Sequence, residues 1–343
     1  MRILFLTSGK RVPSSRFRVH QFIPHLKRLG HRCVVSPCRP DKYDSFPLVG
    51  FLSAQLARKA WRQFQISRLK PDKFDAVFLE RELLSSPRFG LEERLRSVTK
   101  RLILDVDDGL FALHPKKFER LASMADAVIA GNGSIQQEAE RYNDNVTLIP
   151  TCLDLERYRF QGKFESPSSW TTIGWTGTFA NLSYLDEVAD VIERLGSRHN
   201  VRFHLITENP DKARQKIPLS VAMRSTSWSP KTELEDLLAF DIGIMPMPDT
   251  DWTRHKCGLK ILQYMALGIP AVASPVGVNA SIIQDGVNGF LADSPAEWFD
   301  VLQRLATGEV DLRPIIKGAR KTVESDYSVS GNLCKLIAVL EGD

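Results

Sequence analysis

The sequence predicts an α/β protein made of two domains, each built on a doubly wound parallel sheet. Its 343 residues favour two domains, because a single core rarely grows beyond about 250–300 residues. Short apolar segments alternate with helical segments along the whole chain, which is typical of βαβ units. This alternation stops over a polar stretch, residues 154–170, and then restarts. We therefore expect a linker there, with a first domain at residues 1–155 and a second at residues 156–325.

The predicted strands follow one another with helical segments between them. In the first domain they cover residues 2–7, 31–37, 74–80, 101–108, 125–132 and 145–151. In the second domain they cover residues 171–177, 201–207, 240–247 and 270–275, and residues 326–343 form a last helix. Ligands of such sheets bind beyond the carboxyl ends of the strands. The predicted site therefore lies on those loops, in a cleft between the domains.

The composition is that of an ordinary globular protein, with 43% hydrophobic and 25% charged residues. It excludes disordered, collagen-like and disulfide-scaffold proteins. No apolar run approaches the roughly 20 residues that span a bilayer, and the first apolar run is too short for a signal peptide. The five cysteines are scattered without a CxxC pair, which favours reduced thiols in the cytoplasm and no metal site.

Basic residues are concentrated at the start of the chain, since the first 70 residues hold 15 Lys or Arg and 2 Asp or Glu. The segment from Phe51 to Lys70 has no acidic residue, and Leu52, Leu56 and Phe64 lie on an apolar stripe of its predicted helix. Such a helix either binds an anionic membrane surface or packs on the first domain with its basic face in water. RNA would suit the same charges, but no nucleic-acid module is visible, so no nucleic acid partner is expected.

The pattern CGLKILQYMALGIPAVASPVGVN is the most specific in the chain. Gly258 comes just before a helix predicted at residues 259–267. The start of a helix offers unpaired N–H groups and the positive end of the helix dipole, which suits an anion such as phosphate. Lys256, Lys260 and Gln263 share one helical stripe if the helical register extends back to residue 256. The alternative is an ordinary α/β crossover whose lysines are solvated.

Five further segments accompany this pattern in order along most of the chain: SSRFRVHQFIPHLKRLGH, LDVDDGLF, IPTCLD, IGWTGTFANLSYL and DIGIMPMPD. Together they resemble the GT-B glycosyltransferases of the large retaining family, called family 4-like or group 1. The resemblance implies retaining transfer of a sugar from a UDP- or GDP-linked donor to a hydroxyl of a glycan or lipid-linked acceptor, in cell-surface polysaccharide or glycolipid synthesis. It also implies an acceptor domain first, a donor domain second, a last helix that crosses back, and no bound metal or cofactor. A lipid-linked acceptor would place the enzyme at the inner face of the membrane.

The family carries two glutamates eight residues apart near the start of this helix, one facing the donor sugar and one holding the ribose. Here His255 and Gln263 stand at those positions, and an amide can still bind ribose hydroxyls. Thr178 and Asn181 stand where the family often has an Arg and a Lys that pair with the diphosphate, and Trp228 either stacks on the base or fills the core. The predicted donor-binding residues are Gly177, Thr178, Trp228, His255, Cys257, Gly258, Leu259 and Gln263.

The first domain supplies further candidates at two loops. The loop with Gly9, Lys10, Arg16 and Arg18 is predicted to bind the donor diphosphate or a phosphate of the acceptor, with a solvated basic face as the alternative. The segment LDVDDG places aspartates at a strand end, where one orients the acceptor hydroxyl, and Arg81 lies over the diphosphate or pairs with one of them. The predicted catalytic residues are Asp107, Asp108, Arg81, Lys256 and Lys260.

Two other functions remain open on the same architecture. A nucleotide-sugar epimerase or phosphorylase would isomerise the donor or release a sugar phosphate. The replacements at His255, Gln263, Thr178 and Asn181 also allow a nucleotide-sugar-binding protein that has lost catalysis. Such a protein would bind the nucleotide without turnover.

Overall fold

The computed structural model describes residues 1–44, 50–71, 73–162, 169–217 and 219–342. The chain divides into two compact units. The first unit comprises Met1–Asp154, His255–Cys257 and Val329–Asp343, and the second comprises Leu155–Arg254 and Gly258–Ser328. Residues 163–168 of the predicted linker lie outside the described residues.

The first unit is built on a parallel sheet of six strands in the order β2-β1-β3-β4-β5-β6. The strands are β1 Arg2–Thr7, β2 Arg32–Pro37, β3 Ala76–Glu80, β4 Leu102–Val106, β5 Ala127–Ala130 and β6 Val146–Leu148. Their order reverses between β1 and β3, so the loops that follow these two strands flank the crevice where ligands of doubly wound sheets bind. The middle strands β3, β4 and β5 are buried along their whole length, as expected for a sheet covered on both faces.

Helices cover both faces of this sheet. They are α1 Ile23–Arg28, preceded by a π-helical turn at Ser15–His20, then α2 Gly50–Ser67, α3 Gly90–Ser97, α4 Leu110–Leu113, α5 Pro115–Met124 and α6 Gly133–Glu140. One core cluster packs side chains of β1 and β3 against the last helix of the chain, Val329–Glu341.

The long helix α2 exposes its apolar stripe to solvent and buries two of its basic side chains. Leu52 and Leu56 are 75% and 69% exposed, whereas Arg58 and Arg62 are buried. Arg62 Nη2 donates to Thr7 O at 2.7 Å, and its Nε donates to Leu83 O at 3.2 Å. Because guanidinium groups can be buried where carbonyl oxygens satisfy them, the alternative of a helix that packs on the first domain with its basic face in water is wrong.

The second unit repeats the architecture with six parallel strands in the order β12-β11-β10-β7-β8-β9. The strands are β7 Thr171–Thr176, β8 Val201–Thr207, β9 Ala222–Ser227, β10 Ile242–Met245, β11 Ala271–Ala273 and β12 Phe290–Leu291. The helices are α7 Ala189–Gly196, α8 Pro210–Lys216, α9 Glu233–Leu238, α10 Leu259–Leu267, α11 Asn279–Ile282, α12 Pro295–Ala306 and α13 Leu312–Asp326, and α14 is the last helix, Val329–Glu341. The order reverses between β7 and β10. The two sheets confirm the predicted α/β fold class.

Candidate functional site

Two predicted site residues meet at the point where the second sheet reverses its strand order. Gly177 follows β7, and α10, which carries Lys260, begins after the neighbouring strand β10. Lys260 Nζ lies 5.4 Å from the centroid of the Trp175 ring. A Cβ atom on Gly177 would come within 2.5 Å of the Trp175 ring and 3.2 Å of Lys260 Cε. Only glycine fits there, so the structure brings this turn and the Lys260 side chain together.

The amino end of α10 lies on the same side of the sheet, after β10. Gly258 precedes it with a left-handed φ of 64°, which favours glycine. No side chain of the described residues caps this helix, and Leu259 at its first position is half-buried. The N–H groups of the first turn and the helix dipole therefore favour an anion at this end.

The backbone of the loop after β7 is partly engaged within the unit. Gly177 N–H donates to Ile206 O at 3.1 Å, and Phe179 N–H donates to Glu208 Oε2 at 2.9 Å. Thr178 stands between them, at the start of a 3₁₀ helix. These two hydrogen bonds hold the loop in shape. Positive charge beside the loop comes from Lys260, from the start of α10, and from Lys216, whose Nζ lies 4.8 Å from the centroid of the Phe179 ring.

Trp228 and Gln263 belong to one hydrogen-bonded network. Gln263, which is only 4% exposed, donates from Nε2 to Tyr158 Oη at 2.8 Å. Tyr158 Oη in turn donates to Glu233 Oε2 at 3.4 Å, and Trp228 Nε1 donates to Glu233 Oε1 at 3.2 Å. The sequence analysis missed Tyr158 and Glu233. No local signal marks them, because they are 75 residues apart in the chain.

His255 and Cys257 contact the loops of the first unit. His255 Nδ1 is 2.9 Å from Ser134 Oγ, and its ring centroid is 4.5 Å from that of Phe111. Cys257 Sγ donates to Asp107 O at 3.3 Å, and burial raises the pKa of this thiol to about 12. The structure therefore places these two residues in the first unit, with its aspartate loop.

Lys256 lies in the same short segment and is electrostatically coupled to that aspartate loop. Burial lowers the pKa of Lys256, against the opposing effect of the nearby Asp108 carboxylate. Asn132 Nδ2 donates to the backbone oxygens of His255 at 3.0 Å and of Lys256 at 3.3 Å. The helical register does not extend back to Lys256, because the helix begins only at Leu259, so Lys256 does not share the stripe of Lys260 and Gln263.

Arg81 pairs with both candidate aspartates of the first unit. Its Nε donates to Asp107 Oδ1, and its Nη1 is 3.2 Å from Asp108 Oδ2. Burial opposes the charge of Arg81, but Asp107 and Asp108 outweigh it and raise its pKa well above the usual value. Arg81 also has a φ of 57°, a left-handed conformation that a non-glycine residue adopts at a cost of about 1–3 kcal/mol. The surrounding contacts hold this guanidinium over the two carboxylates.

The loop after β2 contributes two residues near this cluster that the sequence analysis missed. Burial lowers the pKa of Lys42, and the positive charge of Arg81 lowers it further. Tyr43 follows it and is 55% exposed. Neither residue belongs to a motif, so their sequence positions gave no signal.

The predicted phosphate loop of the first unit binds carboxylates of its own chain. Asp41 Oδ2 accepts hydrogen bonds from the backbone N–H groups of Lys10 at 3.0 Å and Arg11 at 2.9 Å, and a Cβ on Gly9 would clash with Asp41. Arg16 is 9% exposed, and its guanidinium carbon lies 5.0 Å from the centroid of the Phe17 ring.

Arg18 lies inside the first unit. Its Nη2 is 2.5 Å from Asp105 Oδ1, and its Nη1 donates to Ile149 O at 2.8 Å. Its side chain is only 2% exposed. The structure therefore places Arg18 in a buried ion pair, away from the loop surface where the sequence analysis expected it.

Within the described residues, no three His, Cys, Asp or Glu side chains are grouped so that they could hold a metal ion. The search for membrane-spanning helices over the same residues finds none of sufficient length and hydrophobicity. None of the five cysteines forms a disulfide.

Comparison with known proteins shows what the sequence resembles. Residues 171–308 match the protein family described as Glycosyl transferases group 1. The amylovoran biosynthesis glycosyltransferase AmsK of Erwinia amylovora is 27% identical over 127 residues, which cover 36% of this chain and 31% of that protein. The match thus spans about a third of the length of this curated relative.

Solved structures resemble the whole chain. Alr3699/HepE of Anabaena, determined in complex with UDP and glucose, has a TM-score of 0.69 at 15% identity, and the match covers 100% of both chains. Sucrose-phosphate synthase (tll1590) from Thermosynechococcus elongatus has a TM-score of 0.76 at 13% identity, over 100% of this chain and 99% of that one. At such identities the similarity concerns the fold.

Proposed function

We propose that this chain, whose residues 171–308 match the group 1 glycosyl transferases, is a GT-B enzyme of that family and transfers a sugar from a nucleoside diphosphate to a hydroxyl group, with retention of configuration. The donor is a UDP- or GDP-linked sugar, and the acceptor is a glycan or a lipid-linked glycan of cell-surface polysaccharide or glycolipid synthesis. The comparison with a protein of amylovoran biosynthesis and with a fold neighbour solved with UDP and glucose supports this choice.

The observation that carries the proposal is the meeting of Gly177, Lys260 and the amino end of α10 where the second sheet reverses. Sugar transfer needs stabilisation of the negative charge that develops on the leaving diphosphate. An ammonium group and preorganised N–H groups supply it without reorganisation. Since positive charge is available from these groups, we expect turnover to continue in the presence of a chelator.

The first unit supplies the acceptor chemistry in this proposal. Asp107 and Asp108 are held beside Arg81, and Arg81 lowers the pKa of Asp107 against the effect of burial. A carboxylate in this state accepts a hydrogen bond and so can orient an acceptor hydroxyl. We assign that role to Asp108, because its side chain is the more exposed of the two, 17% against 9%.

The purified protein should hydrolyse or transfer from one nucleotide sugar in a panel of UDP- and GDP-sugars, with the nucleoside diphosphate as the released product. We would measure nucleotide release with and without glycan and lipid-linked acceptors, and determine the anomeric configuration of the product by NMR. Asp108→Asn should lose transfer while its affinity for UDP or GDP stays unchanged, since the second unit carries the nucleotide-binding groups.

The products distinguish the competing functions in the same assay. A released sugar phosphate would indicate a phosphorylase, and an isomerised donor would indicate an epimerase. Tight binding of UDP or GDP with no turnover over the whole panel would show a binding protein that has lost catalysis. Inversion of the anomeric configuration would contradict the retaining mechanism.

We further propose that the enzyme works in the cytoplasm and binds the inner face of the membrane through α2. The exposed side of this helix carries Leu52, Leu56 and Phe64. Cations border it, since Lys59 is exposed and the Arg68 guanidinium lies 4.4 Å from the centroid of the Phe64 ring. Apolar side chains that enter the interface beside cations are the features that bind a helix to anionic lipids.

Serine at both Leu52 and Leu56 should weaken binding to vesicles of phosphatidylcholine and phosphatidylglycerol by at least about tenfold, because both side chains would lose their burial in the lipid. Co-sedimentation measures the bound fraction, and pure phosphatidylcholine vesicles test the charge requirement. Val287→Ser removes an apolar residue of the second unit that is 48% exposed, and it serves as the control. Equal binding of the wild type and the double variant would contradict membrane docking by α2.

A further inference from the structure

In the hydrogen-bonded network around Glu233, the chemistry of the groups decides which one donates and which one accepts in each hydrogen bond. The Glu233 carboxylate pairs with Arg157 at 3.2 Å, and a carboxylate only accepts hydrogen bonds. The Tyr158 hydroxyl has one proton, and that proton points to Glu233. The oxygen of Tyr158 is therefore the acceptor toward Gln263, and the amide nitrogen of Gln263 must face it.

This direction sets the orientation of the Gln263 amide. With its nitrogen on Tyr158, the carbonyl oxygen Oε1 lies at the other edge of the planar amide and points away from the Tyr158 hydroxyl. Among the described residues, Oε1 accepts no hydrogen bond. A carbonyl oxygen in this position can accept from a ribose hydroxyl, as the carboxylate expected in the family would. The network thus leaves Oε1 as an acceptor for a ligand although the residue is an amide.

The same direction explains why glutamine stands at position 263. A carboxylate there would compete with Glu233 for the single proton of Tyr158, and two buried carboxylates would face one hydroxyl. Like charges at that distance repel strongly in a buried site. Glutamine donates an N–H to the Tyr158 oxygen, so the Tyr158 proton remains available for Glu233. The amide at position 263 therefore suits the carboxylate at position 233.

Glu233 also fixes the indole of Trp228. Trp228 N–H donates to Glu233 Oε1, and Tyr158 donates to Oε2. One carboxylate therefore orients both an aromatic ring that can stack on a base and, through Tyr158, an amide that can hold a ribose. Tyr158 is itself fixed, because Arg320 donates to its backbone oxygen at 3.1 Å.

We propose that Glu233 is a positioning residue for the nucleoside half of the donor, and that it acts through Tyr158 on Gln263 and directly on Trp228. The inference rests on the proposed binding of a nucleotide sugar by the second unit. It assigns recognition of ribose and base to two residues, Glu233 and Gln263. One of the two must be a carboxylate and the other an amide, and either order satisfies the Tyr158 hydroxyl.

The test is an exchange of the two groups, measured as affinity for UDP and GDP by calorimetry. Gln263→Glu should weaken binding of the preferred nucleotide by about tenfold, the effect of losing one oriented hydrogen bond. In the double variant Gln263→Glu with Glu233→Gln, the Tyr158 hydroxyl again has a donor on one side and an acceptor on the other, with the two exchanged. It should therefore return the affinity to within about threefold of the wild type. Arg157, which is 43% exposed and also donates to Pro230 O, can turn to solvent in that variant.

Two further variants separate positioning from folding. Tyr158→Phe should weaken nucleotide binding about as much as Gln263→Glu, because the amide loses its fixed orientation. Tyr264→Phe removes another buried tyrosine hydroxyl of the second unit, which donates to Ile244 O, and it should leave the affinity unchanged. Thermal melting of every variant shows which ones are folded.

The outcomes separate this inference from the function that it rests on. A wild-type protein that binds neither UDP nor GDP contradicts the proposed function, and the inference with it. If the wild type binds UDP or GDP and the folded Gln263→Glu variant binds it with equal affinity, the role of the network is contradicted and the proposed function is not. Failure of the folded exchange variant to recover affinity contradicts the pairing of a carboxylate with an amide at positions 233 and 263.

Discussion

Alanine at Lys260 should slow sugar transfer by about 10- to 1,000-fold, on the scale of removing one preorganised donor from a developing negative charge. Lys260 Cε lies close to the turn at Gly177, and its ammonium lies over the Trp175 ring. More charge develops on the diphosphate in the transition state than in the ground state, so the loss should fall mainly on kcat. Initial rates with the preferred nucleotide sugar measure it.

Two comparison variants test whether the effect depends on the positive charge of residue 260 and on its place beside Gly177. Lys260→Arg keeps a cation and should retain more activity than the alanine variant. Lys317→Ala removes an exposed lysine of α13 in the same unit and should leave the rate unchanged. If a folded Lys260→Ala variant keeps the wild-type kcat, this lysine has no part in the mechanism. The amide groups at the start of α10 would then stabilise the leaving diphosphate without it.

The strand pattern and the position of Gly258 were predictable, because both depend on local residues. Strands that alternate with helices indicated two parallel sheets, and the structure confirms them. The left-handed turn at Gly258 follows from the absence of a side chain. The convergence of Gly177 and Lys260 was also within reach of the sequence, since two neighbouring strands end there.

Contacts that join distant parts of the chain could not be predicted in the same way. Periodicity located the apolar stripe of α2 but did not decide which face of the helix packs on the first unit. The backbone oxygens of Thr7 and Leu83 accept the guanidinium of Arg62, so the basic side is buried. Their availability depends on where two strands end in space. Glu233 and Gln263 similarly meet only through Tyr158, so no spacing in the sequence reveals that they act together.

Methionine at Arg18 should destabilise the protein by about 3–5 kcal/mol, the usual cost of breaking a buried ion pair from one side. Arg18 Nη2 and Asp105 Oδ1 are 2.5 Å apart, and the two side chains are 2% and 0% exposed. The variant would leave the Asp105 carboxylate buried without its partner, and Ile149 O would lose the hydrogen bond from Nη1. Urea unfolding at neutral pH measures the change in the free energy of unfolding.

The destabilisation should also depend on pH with a definite sign. Burial raises the pKa of Asp105 to about 6 even beside Arg18, while Asp105 outweighs burial and raises the pKa of Arg18. The aspartate is therefore the partner that is easier to neutralise. Without Arg18 its pKa in the folded state should be higher still, so the folded state binds more protons than the unfolded state above pH about 4. Wild type and variant should both lose stability as the pH rises from about 4 to about 6, because the pKa of Asp105 is raised in both. Above pH about 6 the wild type should level off while the variant continues to lose stability, so the destabilisation grows there.

Removal of the second charge tests this explanation directly. Arg18→Met combined with Asp105→Leu leaves no unpaired charge, so it should recover much of the lost stability and show no such pH dependence. The exposed pair of Arg141 with Glu138 supplies the control, and Arg141→Met should leave the unfolding midpoint unchanged because solvent screens that pair. If Arg18→Met alone unfolds at the wild-type urea concentration at pH 8, the ion pair contributes nothing to the stability of the first unit, and burial of the Asp105 carboxylate must be compensated by other groups.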